Sequence, residues 1–233
     1  MGLGSSVVSS PAAFEKLPLD HMWMPVFTGE HISTDCAIVN GEVRWIRHVL
    51  GFPWRDGMFT HWVIETGQRV ELEWFLSRWV VKHMAEYTGM MNFETIGGHI
   101  IEAHLRFADQ WCDLYGRDWF DALVELYAEG VWEHRDDRRF EGYSIPLFAR
   151  HGVVPPHPPQ ALQTHIRGLP GISSVQITYH ESRSGKAHPM PPGGFRLALV
   201  NCTDLKAGLS ARNLLAKAFP DCEVMLPGGG GAV

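Results

Sequence analysis

The sequence predicts an α+β fold, with an antiparallel sheet and flanking helices followed by a small C-terminal α+β lobe. Asn40-Gly41 separates two apolar segments, and this dipeptide is the strongest short-range signal of a β-hairpin. Apolar residues recur at helical spacing over 71–88 and 118–130. Strand-like segments over 172–181 and 195–202 flank a loop rich in Pro and Gly.

The composition limits the kinds of partner that we expect. The chain has 233 residues, of which 45% are hydrophobic, and this is enough for one large domain or a main domain with a satellite. The net charge is −6, so there is no positive excess to neutralise a phosphate backbone, and we expect no nucleic-acid partner. No segment approaches the ~18 consecutive apolar residues of a membrane span, so we expect no membrane partner. The four cysteines are far apart and the N-terminus does not resemble a signal peptide, which predicts a cytoplasmic protein with reduced thiols.

The elements of the N-terminal half follow one another closely. A Gly/Ser loop over 2–6 leads into a short apolar strand, and Ser10-Pro11 is a typical start for a short helix. The predicted hairpin then occupies 31–50. The helix over 71–88 is followed by Gly89, and the helix that begins at Asp118 is closed by Gly130.

Composition changes along the chain predict where it divides. The charged run 133–139 and the proline-rich run 153–160 are typical of connecting segments. A helix over 203–219 and a short strand over 222–226 follow the two C-terminal strands. We therefore predict four parts: a core over 1–135, a connector over 136–165, a small α+β lobe over 166–227 and a flexible tail over 228–233.

Residues 91–107 place charged side chains within segments that otherwise have the pattern of buried strands. Successive side chains of a strand point to opposite faces, so Glu102, His104 and Arg106 share one face of the second strand. Asn92 and Glu94 share one face of the first. Burying one unpaired carboxylate costs several kcal/mol, so this arrangement needs a reason.

The loop between the two strands decides whether these polar faces coincide. A two-residue turn at Gly97-Gly98 would place Glu94 opposite Ile101, whereas a three-residue loop from Gly97 to His99 would pair Glu94 with Glu102. We predict the three-residue loop, because it collects the apolar residues on the opposite face.

Two carboxylates side by side repel each other unless a cation lies between them. Glu94, Glu102 and His104 could hold Mg²⁺ or Mn²⁺, and Arg106 on the same face would suit a phosphate or a carboxylate. One alternative is an exposed hairpin with a solvated polar face. Another is an iron site of two histidines and one carboxylate that includes His99, but strand alternation places His99 on the opposite face.

The order of these segments resembles the ATP-grasp superfamily over residues 2–107. These enzymes activate a carboxylate as an acyl phosphate and join it to an amine. They carry an acid on one strand and a Glu-x-Asn-x-Arg pattern on the next, whose Glu and Asn bind the magnesium ions of ATP. Glu94 matches the first acid, and Glu102 and Arg106 match the second pattern. His104 stands where Asn is usual.

The resemblance implies ATP and Mg²⁺ as cofactors, with Mn²⁺ as a second possible ion, and a small carboxylate and an amine as substrates. The loop over 2–6 is similar to the loop that covers the nucleotide phosphates, and residues 23–35 resemble the hinge beside adenine. The implied catalytic residues are Arg106, Asp35 and Arg44, with Asp35, Arg44 and Arg47 lining the cleft. The implied nucleotide-binding residues are Gly4, Ser5, Ser6, Trp23, Met24 and Val26.

Members of this superfamily usually place a substrate-binding domain and a lysine-bearing subdomain before the glycine loop. We therefore expect the protein to need a complementary N-terminal half or to work as a homo-oligomer. The alternative hypothesis is a non-catalytic subunit that binds a nucleotide or another protein through a degenerate ATP-grasp fold.

Overall fold

The computed structural model describes residues 6–17, 22–134, 136, 140–181 and 191–227. Its helices are α1 (Pro11–Phe14), α2 (Val70–His83), α3 (Trp119–Glu129), α4 (Gln160–Arg167) and α5 (Leu205–Ala216), with a short 3-10 turn at Cys112–Leu114. Its strands are β1 (His31–Val39), β2 (Glu42–Pro53), β3 (Phe59–Ile64), β4 (Gly89–Ile96), β5 (His99–His104), β6 (Gly142–Ala149), β7 (Ile172–Ile177), β8 (Phe195–Cys202) and β9 (Val224–Met225).

All the described strands belong to one antiparallel sheet. Its order is β5-β4-β1-β2-β3-β6-β8-β7, and β9 pairs with β6. The predicted α+β class, with an antiparallel sheet and flanking helices, is confirmed. Across the described ranges, no helix is both long and apolar enough to cross a membrane.

The hairpin at Asn40-Gly41 forms as predicted. The φ angles of Asn40 and Gly41 are +48° and +75°, and such a pair of positive values suits the tight turns that join antiparallel strands. A Cβ atom on Gly41 would lie 2.4 Å from the carbonyl oxygen of Ala85. Both the backbone angle and the available space therefore require glycine here.

Different layers cover the two faces of the N-terminal half of the sheet. Helix α2 packs on one face, where Leu76 and Val80 contact Cys36 and Phe93. The opposite face carries the larger aromatic core, and part of the segment after β5 lies on it. Its buried aromatic residues are Trp45, Trp62, Trp111, Tyr115 and Trp119. Four of the nine tryptophans are therefore core residues.

Two strands in the middle of the sheet, β3 and β6, are not among the predicted strands. Strand β6 lies inside the predicted connector 136–165 and pairs with both β3 and β8. It therefore joins the N-terminal strands to the C-terminal ones within one continuous sheet. Helices α4 and α5 pack on the C-terminal strands around their own apolar cluster. The predicted division of the chain stays a prediction.

The helices of the N-terminal half form where the sequence pattern predicts them, but some of their ends differ from the predicted ones. Helix α2 ends at His83, five residues before the predicted end. Helix α3 ends at Glu129 and is closed by Gly130, whose φ is +71°, as its sequence indicates. Helix α1 ends at Phe14 and is capped by the side chain of Ser10, which accepts from the Ala13 N–H.

We expect Gly41→Ala to lower the free energy of unfolding by about 1–3 kcal/mol, because alanine is strained at a positive φ. Urea unfolding measures this loss. Gly67→Ala is the matched control, since a Cβ there would meet no atom within 4 Å. Equal stability of the two variants would contradict the assignment of this turn.

Candidate functional site

The β4–β5 hairpin pairs the residues that the sequence singles out, by a different route from the predicted one. Glu94 lies opposite Glu102, and Asn92 lies opposite His104. The predicted three-residue loop is wrong, because the turn consists of Gly97 and Gly98 alone. A bulge that leaves Ile101 without a partner restores the predicted pairing.

The bulge also corrects the predicted position of His99. This residue lies opposite Ile96, which shares a strand face with Glu94. His99 is therefore on the same face as Glu94, whereas strand alternation alone predicted the opposite face. Its ring stacks on Phe27, with centroids 4.3 Å apart and planes at 12°. His99 is therefore engaged in packing beside the polar group.

Glu94, Glu102 and His104 form a compact group of potential metal ligands. One ligand atom from each residue lies within 4.8 Å of the others. The His104 Nε2 lies 3.1 Å from the Glu102 Oε2. The three side chains are 30%, 58% and 31% exposed, so the group is open to an incoming ligand. Two carboxylates and an imidazole form a donor set that fits a divalent cation.

His31 is a member of this site that the sequence reasoning missed. Its Nε2 lies 3.1 Å from the Glu94 Oε2. Its ring is held edge-on by Phe59 and Trp62, at centroid distances of 5.1 and 5.5 Å. The alternation of His31, Ser33 and Asp35 along β1 was the available signal, because it places all three on one face.

The environment of Glu94 favours its ionised form. Burial acts to raise the pKa of its carboxyl, but the hydrogen bond from His31 and the charges of His31, His104 and Arg106 outweigh burial. The pKa of Glu94 therefore lies below its usual value. A carboxylate that stays ionised is suited to hold a cation.

Asp35 lies next to this group but beneath the surface. It is 1% exposed, and its carboxylate accepts from the Asn92 side chain at 2.7 Å and the Tyr115 hydroxyl at 2.8 Å. It also accepts from the Ala108 N–H at 3.0 Å. Ala108 and Tyr115 separate Asp35 from the solvent, and its implied place in the lining of a cleft stays a prediction. Asp35 ties the segment after β5 to β1.

A cavity beside the hairpin opens on the other face of the sheet. It has a volume of about 570 Å³ and lies between the Gly97-Gly98 turn and α2. Arg69 lines it, but its guanidinium is paired with Glu65 and Glu30 at 2.6 and 2.7 Å. The carboxylates of Glu94 and Glu102 are separated from this cavity by the sheet.

Comparison with known proteins identifies the fold. No family model matches the sequence, and no curated protein matches it. Several solved structures do match. Phosphoribosylglycinamide synthetase from Anaerococcus prevotii matches with TM-score 0.55 and 11% identity, over 87% of this chain and 55% of that one. L-amino acid ligase from Bacillus licheniformis matches with TM-score 0.54 and 9% identity, over 87% and 53% of the two chains. N5-carboxyaminoimidazole ribonucleotide synthetase from Thermus thermophilus matches with TM-score 0.54 and 15% identity, over 90% and 57%.

The chain has the ATP-grasp fold. The chain spans about half the length of these matched structures. Identities of this size establish a shared fold and nothing about substrates. The predicted resemblance to ATP-grasp enzymes is therefore confirmed at the level of the fold.

The two arginines that the ATP-grasp resemblance singled out lie in different places. Arg106 follows His104 at the end of β5, is exposed, and donates to the Phe107 carbonyl at 3.0 Å. Arg44 is exposed and pairs with Glu42 at 2.7 Å, near the far end of β2. Its neighbour Trp45 pairs with Ala37, about 13 Å along β1 from the level of Glu94. The charge of Arg106 acts on Glu94, whereas Arg44 lies away from the group.

Arg47, also predicted to line the cleft, is buried and pairs with Asp136 at 2.9 Å. Its guanidinium also donates to the Phe140 carbonyl at 3.3 Å. These contacts tie β2 to the segment between α3 and β6, so Arg47 has a structural place in the core.

The nucleotide-binding residues implied by the ATP-grasp resemblance lie on the N-terminal segment. Gly4 and Ser5 fall outside the described residues, and Ser6 is exposed. The exposed fractions of Trp23, Met24 and Val26 are 75%, 44% and 69%.

The predicted hinge continues to the hairpin that carries the acids. The Gly97 N–H donates to the Glu30 carbonyl at 3.0 Å. A Cβ on Gly97 would lie 2.2 Å from the Thr28 carbonyl oxygen, so only glycine allows this close approach. The hinge segment is therefore fixed to the β4–β5 turn.

We expect the buried carboxyl of Asp35 to make stability depend on pH. Burial raises its pKa from 3.8 to about 6, although its hydrogen bonds act in the opposite direction. The folded protein then binds this proton more tightly than the unfolded chain, so the stabilisation present below pH ~4 is lost as pH rises to about 6. Relative to Asp35→Asn, the unfolding free energy of the wild type should fall by up to about 3 kcal/mol across this window.

Urea unfolding of both proteins at pH 4.5 and pH 7 measures this difference. Glu42→Gln removes an exposed carboxylate of the same sheet and serves as the control. A difference between wild type and Asp35→Asn that does not change with pH would contradict the buried, perturbed carboxyl.

Proposed function

We propose that the protein is an ATP- and Mg²⁺-dependent carboxylate–amine ligase that works through an acyl phosphate. The observation that carries this proposal is the group of Glu94, Glu102 and His104, whose ligand atoms lie within 4.8 Å of one another. The group lies on the two neighbouring strands where the ATP-grasp pattern places its metal ligands. The names of the matched structures, a ligase and two synthetases, agree with this reaction class.

Glu94, Glu102 and His104 would hold the divalent ion, either Mg²⁺ or Mn²⁺. When bound, the ion would neutralise charge on the nucleotide phosphates and on the acyl phosphate. His31 would keep the Glu94 carboxylate in place, and the aromatic rings of Phe59 and Trp62 would hold His31. Arg106 would bind a phosphate or the substrate carboxylate beside the ion.

The nucleotide would lie along the N-terminal segment. Exposed backbone near Trp23, Met24 and Val26 would border adenine, and Gly4, Ser5 and Ser6 would cover the phosphates. Phe27 and Glu30 support this placement, because they contact the hairpin that carries the acids. The substrates would be a small carboxylate and an amine.

This chain covers little more than half of each matched structure. Activity would therefore require groups beyond those described, from a complementary N-terminal half or from a second copy of the chain. Arg44 lies away from the acids and Asp35 is buried, so two of the three predicted catalytic residues do not reach the group. This observation favours a second candidate, a non-catalytic subunit that binds a nucleotide or another protein.

Calorimetric titration with ATP, with and without Mg²⁺, tests the proposal. We expect binding that depends on the ion, and we expect Glu102→Gln to weaken it at least about tenfold, since the variant removes a charged ligand. Glu42→Gln is the matched control, because Glu42 is an exposed acid at the start of β2, away from the group.

Binding of ATP by the wild type without any effect of Mg²⁺ or of Glu102→Gln would contradict the metal site. Ion-dependent binding without ligase turnover, in the presence of amino acids and amines, would favour the non-catalytic candidate.

A further inference from the structure

We infer that this site takes a first-row transition-metal dication, such as Mn²⁺ or Co²⁺, in preference to Mg²⁺. The inference rests on the proposed function, because it concerns the same three ligands. It follows from the imidazole of His104, whose nitrogen stands among the carboxylate oxygens of Glu94 and Glu102. The ATP-grasp pattern has an asparagine at this position and would offer oxygen alone.

The preference follows from the chemistry of the donor atoms. Mg²⁺ is a hard ion that takes oxygen ligands, demands a near-octahedral arrangement and keeps much of its water. Imidazole nitrogen binds more strongly to first-row transition metals, whose affinity for mixed sites rises from Mn²⁺ to Co²⁺ and beyond. Exchanging one amide oxygen for a nitrogen therefore moves the preference away from Mg²⁺.

The nitrogen of His104 points into the group. Its Nε2 lies 3.1 Å from the Glu102 Oε2, and both residues are on the same face of β5. The register of the hairpin places Asn92, rather than another acid, directly opposite His104. His104 would therefore offer its imidazole from the pair of residues next to Glu94 and Glu102.

Glu94 is already oriented as a metal ligand. The His31 Nε2 lies 3.1 Å from the Oε2 of Glu94, and this contact fixes the carboxylate opposite Glu102. Carboxylates that bind metals are usually held by such a second layer of hydrogen bonds. His31 itself lies outside the group of mutually close ligand atoms.

His99 does not add a second imidazole. It shares the face of the group, but its ring stacks on Phe27. Within the ranges that the structure describes, the group contains two carboxylates and one imidazole. This donor set differs from the two-histidine, one-carboxylate set of iron oxygenases.

Calorimetric titration of the metal-free protein with MgCl₂, MnCl₂ and CoCl₂, without nucleotide, tests the inference. We expect Mn²⁺ and Co²⁺ to bind at least about tenfold more tightly than Mg²⁺. His104→Asn should reduce this advantage, because it restores an oxygen donor. His99→Asn is the matched control on the same strand and should leave the advantage unchanged. The visible spectrum of bound Co²⁺ should also change in His104→Asn and not in His99→Asn.

Equal affinity of the wild type for Mg²⁺ and Mn²⁺ would overturn the inference and leave the proposed function standing. An unchanged preference in a folded His104→Asn variant would also overturn it. If that variant does not fold, the comparison of the three ions on the wild type still decides the question. If none of the ions binds, either alone or with ATP, both the proposed function and the inference are wrong.

Discussion

The candidate site depends on one irregularity of the sheet, the bulge at Ile101. A two-residue turn at Gly97-Gly98 would by itself place Glu94 and Glu102 on opposite faces. The extra residue shifts the register by one, so both carboxylates lie on one face while Ile100 stays in the apolar core. Edge strand β5 can accept such a bulge because it pairs on one side only.

Two polar contacts, one buried and one partly buried, hold this edge of the sheet together. Asp35 accepts hydrogen bonds from β4 and from the segment that follows β5, so it joins three parts of the chain at one carboxylate. His31 holds Glu94 and is packed against aromatic rings from β3. The exposed ligands therefore rest on side chains that have little freedom to move. Such preorganisation is what a site for a cation or a charged ligand requires.

Much of the fold could be predicted because its signals are local. Asn40-Gly41 fixes one hairpin, Gly130 closes a helix, and alternation assigns polar residues to strand faces. Strand β6 was not predictable in this way, because it runs through the sheet between β3 and β8, where both faces are covered. Its apolar residues form a continuous run that includes a proline and shows no alternation. Periodicity alone therefore does not distinguish this strand from a connecting segment.

The pairing of Glu94 with Glu102 could be predicted from the segregation of apolar residues, but the bulge could not. Two routes give the same pairing of Glu94 with Glu102, and they differ in the partners of His99, Ile100 and Ile101. The burial of Asp35 was also hidden, since it depends on Ala108 and Tyr115, which are more than 70 residues away in sequence. Contacts of this range are set by how the segment after β5 folds back, and no local pattern records them.

A crystal structure of the protein with MnCl₂ and a non-hydrolysable ATP analogue would test the central claim most directly. Anomalous scattering from manganese locates the ion without reference to the surrounding density. The account predicts a peak in contact with Glu94, Glu102 and His104, with the phosphates of the analogue beside it. A nucleotide bound without an ion at these residues, or manganese bound elsewhere, would contradict the assignment of this hairpin as the metal site.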